Sequence, residues 1–197
     1  FLVFAQAFYS PTIPTPEGFV LSGYGQTEEQ IRSFYSKDNA LPYSQREQDF
    51  VKEAVALLPE DAVVANNPFD GSVLSDPLDG LGTMYRSYFT IGGEDEARDS
   101  ILIRKGLDRL STDEEVASAV ERSGVQYVLQ LSDEGYGDYP GNDELRISPF
   151  GPTYAPADWT GIDGITDDTA GFEVVLADGD MRLYKITGTS EAPGAAN

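Results

Sequence analysis

A group of amide, carboxylate and hydroxyl side chains follows a short apolar run in the first half of the chain. Residues 62–65 read AVVA, and after them come the polar side chains of Asn66, Asn67, Asp70 and Ser72. Four consecutive apolar residues are typical of a strand that is buried on both faces. Ligands of open α/β sheets bind beyond the carboxyl ends of the strands. The loop is therefore a candidate binding site, with donors and acceptors suited to sugar hydroxyls or a polar headgroup.

The same residue types also build turns, which is the second interpretation of this loop. Asn and Asp side chains bond to nearby backbone groups, Pro68 and Gly71 shape a turn, and Ser72 could cap a following helix. Arg86 completes the set of candidate binding residues. We expect its side chain to pair with Asp70 or Asp79 and to fix the loop, rather than to hold an anion.

Two further loops gather carboxylates, at 133–138 and 163–168. Calcium prefers several oxygen ligands, but neither loop has EF-hand spacing or a terminal bidentate Glu, so both are interpreted as solvated loops. Two carboxylates could also hydrolyse a glycoside, although only at a separation that a sequence does not give. The glycines at 80 and 82 do not join a strand to a helix, as a dinucleotide site requires. We predict no metal site, no cofactor and no catalytic residue.

The composition removes several classes of chemistry. The 197 residues include no histidine, so a Ser-His-Asp triad and the commonest zinc ligand are excluded. They also include no cysteine, which excludes a disulfide framework and a thiolate metal site. The formal charge is −21, from 34 acidic and 13 basic residues. Such a surface repels phosphate backbones, so nucleic acid is not an expected partner.

Regular elements that would position the loop follow from periodicity and capping patterns. Helices are predicted at 44–58, 94–110 and 111–122, the first and third opened by a capping box. Strands are predicted at 62–65, 83–88 and 125–131, and a final hairpin at 172–177 and 181–187 turns at Asp178-Gly179. A helix followed closely by an apolar strand indicates an αβ unit. The predicted fold is α/β, with a mostly parallel small sheet, an antiparallel C-terminal edge hairpin and flanking helices.

The two ends and one internal stretch do not fit this pattern. Residues 1–8 are mostly apolar but shorter than the roughly 20 residues that span a bilayer, so they are either the end of a membrane helix or the start of a core element. We predict a segment at 1–40 with a Pro-rich linker and a short helix at 27–36, a single α/β domain at 41–188, and a disordered tail at 189–197. Residues 132–170 are predicted to be a long irregular excursion, whose tyrosines and Trp159 either stack on sugar rings or anchor the loop.

Several segments in this order resemble a known group of proteins. They are AVVANNPFDGS, DGLGTMYR, SGVQYVLQLS, the sequence WTGI in the long loop, and GFEVVLADGDMRLYKIT. Over residues 44–187 the chain resembles the extracytoplasmic C-terminal domain of polytopic actinobacterial cell-envelope proteins related to C-type glycosyltransferases. The NNPFDGS and MYR segments point to a distinct subfamily.

The resemblance implies a location and a set of partners. It places the domain on the extracytoplasmic face of the cell membrane, anchored by transmembrane helices that this chain lacks. Its partners would be its own transmembrane region and a cell-envelope glycan or lipid-linked sugar. In these glycosyltransferases the catalytic carboxylate lies between membrane helices, so we expect an accessory or acceptor-binding role without activity of its own. An autonomous surface module that binds carbohydrate or protein is the alternative, and a secreted hydrolase is a third.

Overall fold

The structure, a computed structural model, describes residues 12–16, 18–21, 43–88, 93, 95–132, 136–148 and 153–188. The chain divides into two units, Phe1–Ala40 and Leu41–Asn197. The predicted apolar start, the helix at 27–36 and the tail at 189–197 lie outside the described residues.

The first unit contains a hairpin where an extended linker was predicted. Strand β1 (Thr12–Thr15) pairs antiparallel with β2 (Gly18–Leu21), and Thr15 lies opposite Gly18. Pro14 lies within β1 and opposite Phe19. A two-stranded ribbon tolerates proline because each strand has one edge without ladder hydrogen bonds. The Pro-rich stretch is thus extended, as predicted, but also paired.

The second unit combines helices with two sheets. Its elements in chain order are α1 (Gln45–Leu57), β3 (Val64–Asn66), α2 (Ser75–Asp79), α3 (Arg98–Gly106), α4 (Glu114–Ser123), β4 (Tyr127–Gln130), β5 (Gly137–Asp138), β6 (Arg146–Ile147), β7 (Thr153–Tyr154), α5 (Thr160–Asp163), β8 (Phe172–Asp178) and β9 (Met181–Ile186). Short 3-10 helices occupy Pro68–Asp70, Ser72–Leu74, Leu107–Arg109 and Pro156–Asp158. Among the described residues, no helix has both the length and the apolar character to cross a membrane.

The main sheet confirms the α/β class and the C-terminal hairpin, but it is mixed rather than mostly parallel. Its strand order is β3-β4-β9-β8. Only β3 and β4 pair in parallel, whereas β9 pairs antiparallel with both β4 and β8. The tight turn between β8 and β9 forces their antiparallel pairing, and β9 then docks against the free edge of β4. The sheet therefore has one parallel and two antiparallel strand pairs, whereas the αβ pattern predicted mostly parallel pairing.

The predicted strand at 83–88 is reduced to a single bridge. Thr83 lies beside Val64 in a parallel bridge, and the Met84 N–H donates to the Val64 carbonyl at 2.8 Å. The backbone of Tyr85 then bonds to the side chain of Asn66: its N–H donates to Asn66 Oδ1 at 2.9 Å, and its carbonyl accepts from Asn66 Nδ2 at 3.1 Å. The Asn66 side chain takes the place of a neighbouring strand, which ends the ladder.

The helices form where periodicity predicted them, with different bounds at two of their starts. The Ser44–Glu47 capping box at the start of α1 is confirmed. Helix α3 begins at Arg98 rather than 94. Helix α4 is capped by Asp113, whose Oδ1 accepts from the N–H groups of Glu115 and Val116, rather than by a box at Ser111. A carboxylate at the N-cap satisfies the same free N–H groups as a hydroxyl would.

Apolar residues form a core on each face of the main sheet. Consecutive residues of β4 point to opposite faces, so Val128 packs with α3, α4 and α5, while Leu129 packs with α1. The residues 132–170 are less irregular than predicted. They contain the antiparallel sheet β5-β6-β7, a 3-10 helix and α5. Trp159 in this stretch is fully buried against Phe69 and Tyr85, which confirms its anchoring role.

Candidate functional site

The loop after β3 is shaped by its own side chains. Asn67 caps the 3-10 helix Pro68–Asp70, because its Oδ1 accepts from the Phe69 N–H at 3.2 Å. Asp70 repeats the pattern, with Oδ1 accepting from the Ser72 N–H at 2.9 Å. Gly71, between Asp70 and Ser72, has a φ of 98°, a conformation that few residues with a Cβ adopt. The interpretation of this loop as local turn chemistry is confirmed for both side chains.

Asp70 also joins the ends of the two parallel strands. Its second carboxylate oxygen, Oδ2, accepts from the Leu131 N–H at 3.0 Å, and Leu131 directly follows β4. Parallel strands end at the same edge of a sheet, so the residues after β3 and after β4 lie together. Asp70 is 7% exposed. It therefore serves as the buried link between the two strand ends.

Asn67 holds a second carboxylate that comes from the far end of the long excursion. Its Nδ2 lies 3.1 and 3.0 Å from the two carboxylate oxygens of Asp163, at the end of α5. Asn67 is 2% exposed, whereas the Asp163 side chain is accessible to solvent. The amide of the β3 loop thus orients an accessible carboxylate at the same edge of the sheet.

Helix α5 reaches this position through close backbone packing. Gly161 lies so near the end of α3 that an added Cβ would meet the backbone nitrogens of Gly106 and Leu107. From the other side, Gln130 Nε2 donates to the carbonyls of Ile162 and Ile165, at 2.7 and 3.1 Å. Contacts to both the helical layer and β4 therefore fix the position of Asp163.

A cavity of about 580 Å³ opens beside these carboxylates. Its walls combine acidic, amide and aromatic side chains, namely Asn67, Asp70, Gln130, Leu131, Ser132, Tyr136, Arg146, Tyr154, Pro156, Asp163 and Asp180. The ring of Tyr154 stacks on Phe69 at 4.7 Å between centroids and lies 5.6 Å from the ring of Tyr136. Both the volume and the mixture of rings with a few oriented polar groups are typical of small-ligand sites.

The cavity disfavours ionisation of the groups that line it. Burial raises the pKa of Asp70 to about 7, against the opposing hydrogen bonds from Ser72 and Leu131. Asp163 touches solvent inside the cavity, but the surrounding walls remove most of its hydration and raise its pKa to about 6. Burial, followed by the charge of Asp163, raises the pKa of Tyr154 to about 12. Both aspartates therefore keep their protons to a higher pH than an exposed carboxyl group does.

Only two of the five predicted binding residues line the cavity: Asn67 and Asp70. Asn66 and Ser72 lie beneath them and are completely buried. Ser72 Oγ accepts from Asn66 Nδ2 at 2.8 Å and donates to the Asn67 carbonyl at 3.0 Å, so this pair supports the loop from below.

Arg86 lies outside the cavity. Its side chain is 65% exposed, pairs with Asp76 at 3.5 Å and donates to the Thr83 carbonyl at 2.8 Å. The predicted pairing with Asp70 or Asp79 is wrong, because the Asp70 carboxylate bonds to backbone N–H groups. Asp79 accepts from the Tyr43 hydroxyl at 2.7 Å and lies 3.7 Å from Lys52.

Sequence reasoning did not identify Asp163 as a partner of the β3 loop. Asp163 was considered only as part of an acidic loop, and its contact with Asn67 joins residues 96 positions apart. Of the two acidic loops, residues 133–135 lie outside the described residues. Within the part of the chain that the structure describes, no group of three or more acidic side chains could hold a metal ion.

Comparisons with known proteins give a family but no activity. No curated protein and no solved structure matches this chain. A family model does match it, over residues 2–188, which is most of its length. The chain belongs to the family of unknown function DUF6541.

Proposed function

We propose that this chain is an accessory, glycan-acceptor-binding domain of a membrane-embedded, glycosyltransferase-like protein of the cell envelope. It binds sugar in the cavity beside Asn67, Asp70 and Asp163 and has no catalytic activity alone. The resemblance of residues 44–187 to extracytoplasmic domains of such proteins supports the cellular setting. The cavity itself supports the binding role.

One observation carries the binding role: the cavity joins oriented oxygen acceptors to aromatic rings. Asn67 orients the Asp163 carboxylate, and each carboxylate oxygen can accept a further hydrogen bond from a sugar hydroxyl. The rings of Tyr136 and Tyr154 also line the cavity, with centroids 5.6 Å apart, and aromatic rings pack against the carbon face of a sugar. Polar side chains that converge beside aromatic surface are the recognition chemistry that a polyol needs.

The binding role is tested with a glycan array probed by this chain and by two variants. Asp163→Ala removes the accessible carboxylate of the cavity. Asp168→Ala removes another exposed aspartate side chain, which lies outside the cavity, and it is the matched control. A hydrogen bond to a charged group contributes about 1.5–3 kcal/mol, so we expect Asp163→Ala to weaken binding about tenfold or more. The Asp168→Ala variant should bind like the parent chain.

Two results would contradict the binding role. If folded parent chain binds no glycan, the cavity is not a sugar site. If Asp163→Ala and Asp168→Ala bind as well as the parent, the glycan lies elsewhere on the surface. Release of reducing sugar by the isolated chain would contradict the proposal that it is not catalytic alone.

The cellular setting is tested separately, in the intact protein in its own cells. Because this chain has no cysteine, a single Glu144→Cys substitution at an exposed position adds one thiol to it. We expect a membrane-impermeant maleimide to label that thiol in whole cells. Labelling only after the cells are lysed would place the domain on the inner side of the membrane and overturn this part of the proposal.

A further inference from the structure

Acidic side chains outnumber basic ones among the described residues that line the cavity. Three carboxylates line it, those of Asp70, Asp163 and Asp180, and Arg146 is the one cationic side chain among the described lining residues. Arg146 lies 3.1 Å from the exposed Asp138, outside the lining. The cavity therefore presents negative charge to a ligand, as does the whole chain with its formal charge of −21.

The three carboxylates differ in the hydrogen-bond donors and cations that already contact them. Asp70 accepts two backbone N–H groups and is buried. Asp180 accepts from the Ser132 hydroxyl at 3.0 Å and lies 3.6 Å from Arg46. Asp163 accepts only from the neutral amide of Asn67 and has no cationic partner among the described residues. It is the accessible carboxylate that still lacks a positive charge.

Two aromatic rings share the cavity with Asp163. Tyr136 and Tyr154 have centroids 5.6 Å apart, and the Asp163 charge acts on both of them. An ammonium group is attracted to the face of an aromatic ring within about 6 Å, and more strongly where water is partly excluded. A carboxylate beside two such rings is complementary to an ammonium group. It is a poor environment for a phosphate or a carboxylate, because like charges repel.

We propose that the cavity selects a sugar that carries a free amino group, with the ammonium bound by Asp163 beside the rings of Tyr136 and Tyr154. This inference rests on the proposed glycan-binding function and names the class of sugar. An N-acetylated sugar lacks the charge, and a uronic acid has the opposite charge. The cavity therefore distinguishes three sugars of similar size by the charge of one substituent.

The test compares four tetrasaccharides that share one linkage and differ only in a substituent of each ring: tetramers of glucosamine, N-acetylglucosamine, glucose and glucuronic acid. Binding to the whole chain is measured by calorimetry near neutral pH. We expect the glucosamine tetramer to bind about tenfold more tightly than the glucose tetramer, because its ammonium group adds a charge-assisted hydrogen bond to Asp163. The glucuronic acid tetramer should bind most weakly.

Two variants separate the role of charge from loss of fold. Asp163→Asn keeps the size of the side chain and an acceptor for Asn67, and it should abolish the preference for glucosamine while the glucose tetramer still binds. Arg146→Gln alters an exposed side chain and leaves the Asn67–Asp163 contact in place. It should increase the preference for glucosamine several-fold.

The outcomes distinguish the two proposals. Equal binding of the glucosamine, glucose and N-acetylglucosamine tetramers would overturn the amino-sugar inference and leave the glycan-binding function standing. A preference that persists in Asp163→Asn would also overturn it. Binding of none of the four tetramers to folded chain would overturn the amino-sugar inference, and failure across the whole glycan array would overturn the glycan-binding function too.

Discussion

The side-chain amide of Asn67 lies 3.1 and 3.0 Å from the two carboxylate oxygens of Asp163, across 96 residues of sequence. The contact joins the loop after β3 to the end of α5, and so it fixes one wall of the cavity. Asn67 is buried and also caps a 3-10 helix through Oδ1. One side chain thus caps the local turn and also holds a distant carboxylate.

Replacement of Asn67 should reveal both roles. Asn67→Ala loses the cap and the contact with Asp163, and we expect the free energy of unfolding to fall by about 1–2 kcal/mol. Asn67→Asp keeps the cap but places a second carboxylate against Asp163, which should raise the pKa of Asp163 further. Chemical denaturation measures the first effect, and carboxyl-carbon NMR titration measures the second. Asn142→Ala, which loses only an exposed turn contact to Glu144, is the control and should change stability by less.

The stability of the chain should fall as the pH rises from about 5 to about 8. Burial raises the pKa of Asp70 to about 7, and loss of hydration raises that of Asp163 to about 6. The folded chain therefore retains protons that the unfolded chain has already released. The resulting stabilisation is complete below the ordinary aspartate pKa of 3.8 and is lost as the pH rises through these raised values.

Ion-paired aspartates have the opposite pH dependence, but in another range. Arginine partners lower the pKa values of Asp99, Asp167 and Asp178, so the stability that these aspartates contribute is lost only as the pH falls below the ordinary aspartate range.

Denaturation at several pH values measures how steeply the free energy of unfolding changes with pH. One group changes this slope by at most about 1.4 kcal/mol per pH unit. Asp70→Asn should show a shallower slope than the parent chain. An identical slope in the two proteins would contradict the assignment to Asp70.

The close approach of α5 to α3 predicts a strong effect at Gly161. An added Cβ would lie 2.6 Å from the Ile103 carbonyl oxygen and even nearer to two backbone nitrogens. Because backbone atoms cannot rotate away, Gly161→Ala should destabilise the fold by about 1–3 kcal/mol and displace Asp163. Thermal unfolding and the NMR shift of the Asp163 carboxyl carbon measure the two effects. Gly93→Ala is the control, since a Cβ there meets no atom within 4 Å.

Loss of a buried ion pair next to Trp159 should destabilise the fold far more than loss of an exposed one. Arg104 and Glu96 side chains are each 4% exposed and lie 2.9 Å apart, and the Arg104 guanidinium lies 5.9 Å from the Trp159 ring centroid. Glu96→Ala removes the nearer carboxylate of this buried charge and leaves Arg104 with Asp158 at 3.5 Å, so we expect a cost of about 3 kcal/mol. Arg98 and Glu115 are also 2.9 Å apart but largely exposed, so Glu115→Ala should cost about 1 kcal/mol or less. Similar losses in the two variants would contradict this account.

Elements determined by neighbouring residues could be predicted from the sequence. The Ser44–Glu47 capping box and the hairpin of β8 and β9 involve contacts between residues that are close in the chain, and both are confirmed. The strand-end rule also placed Asn67 and Asp70 correctly at the edge of the parallel strands. These features depend on local backbone chemistry and on a period of two or 3.6 residues.

Features that depend on distant contacts could not be predicted in this way. The Asn66 side chain replaces a strand beside Tyr85, so a run with strand propensity forms only one bridge. Asp163 reaches the site where Gly161 allows α5 to approach α3 closely. Neither contact leaves a periodic pattern in the sequence, since each depends on a single pair of residues that are far apart in the chain.

The proposed glycan site is tested most directly by NMR mapping of sugar binding on the isotope-labelled chain. The ligand is envelope glycan fragments purified from the cells that encode the protein. We expect chemical-shift changes at the residues that follow β3 and β4 and at Tyr136, Tyr154 and Asp163, with residues on α4 unaffected. Saturable shifts confined to α4 or another distant surface, or no shifts at millimolar glycan, would contradict the assignment of this cavity as the glycan site.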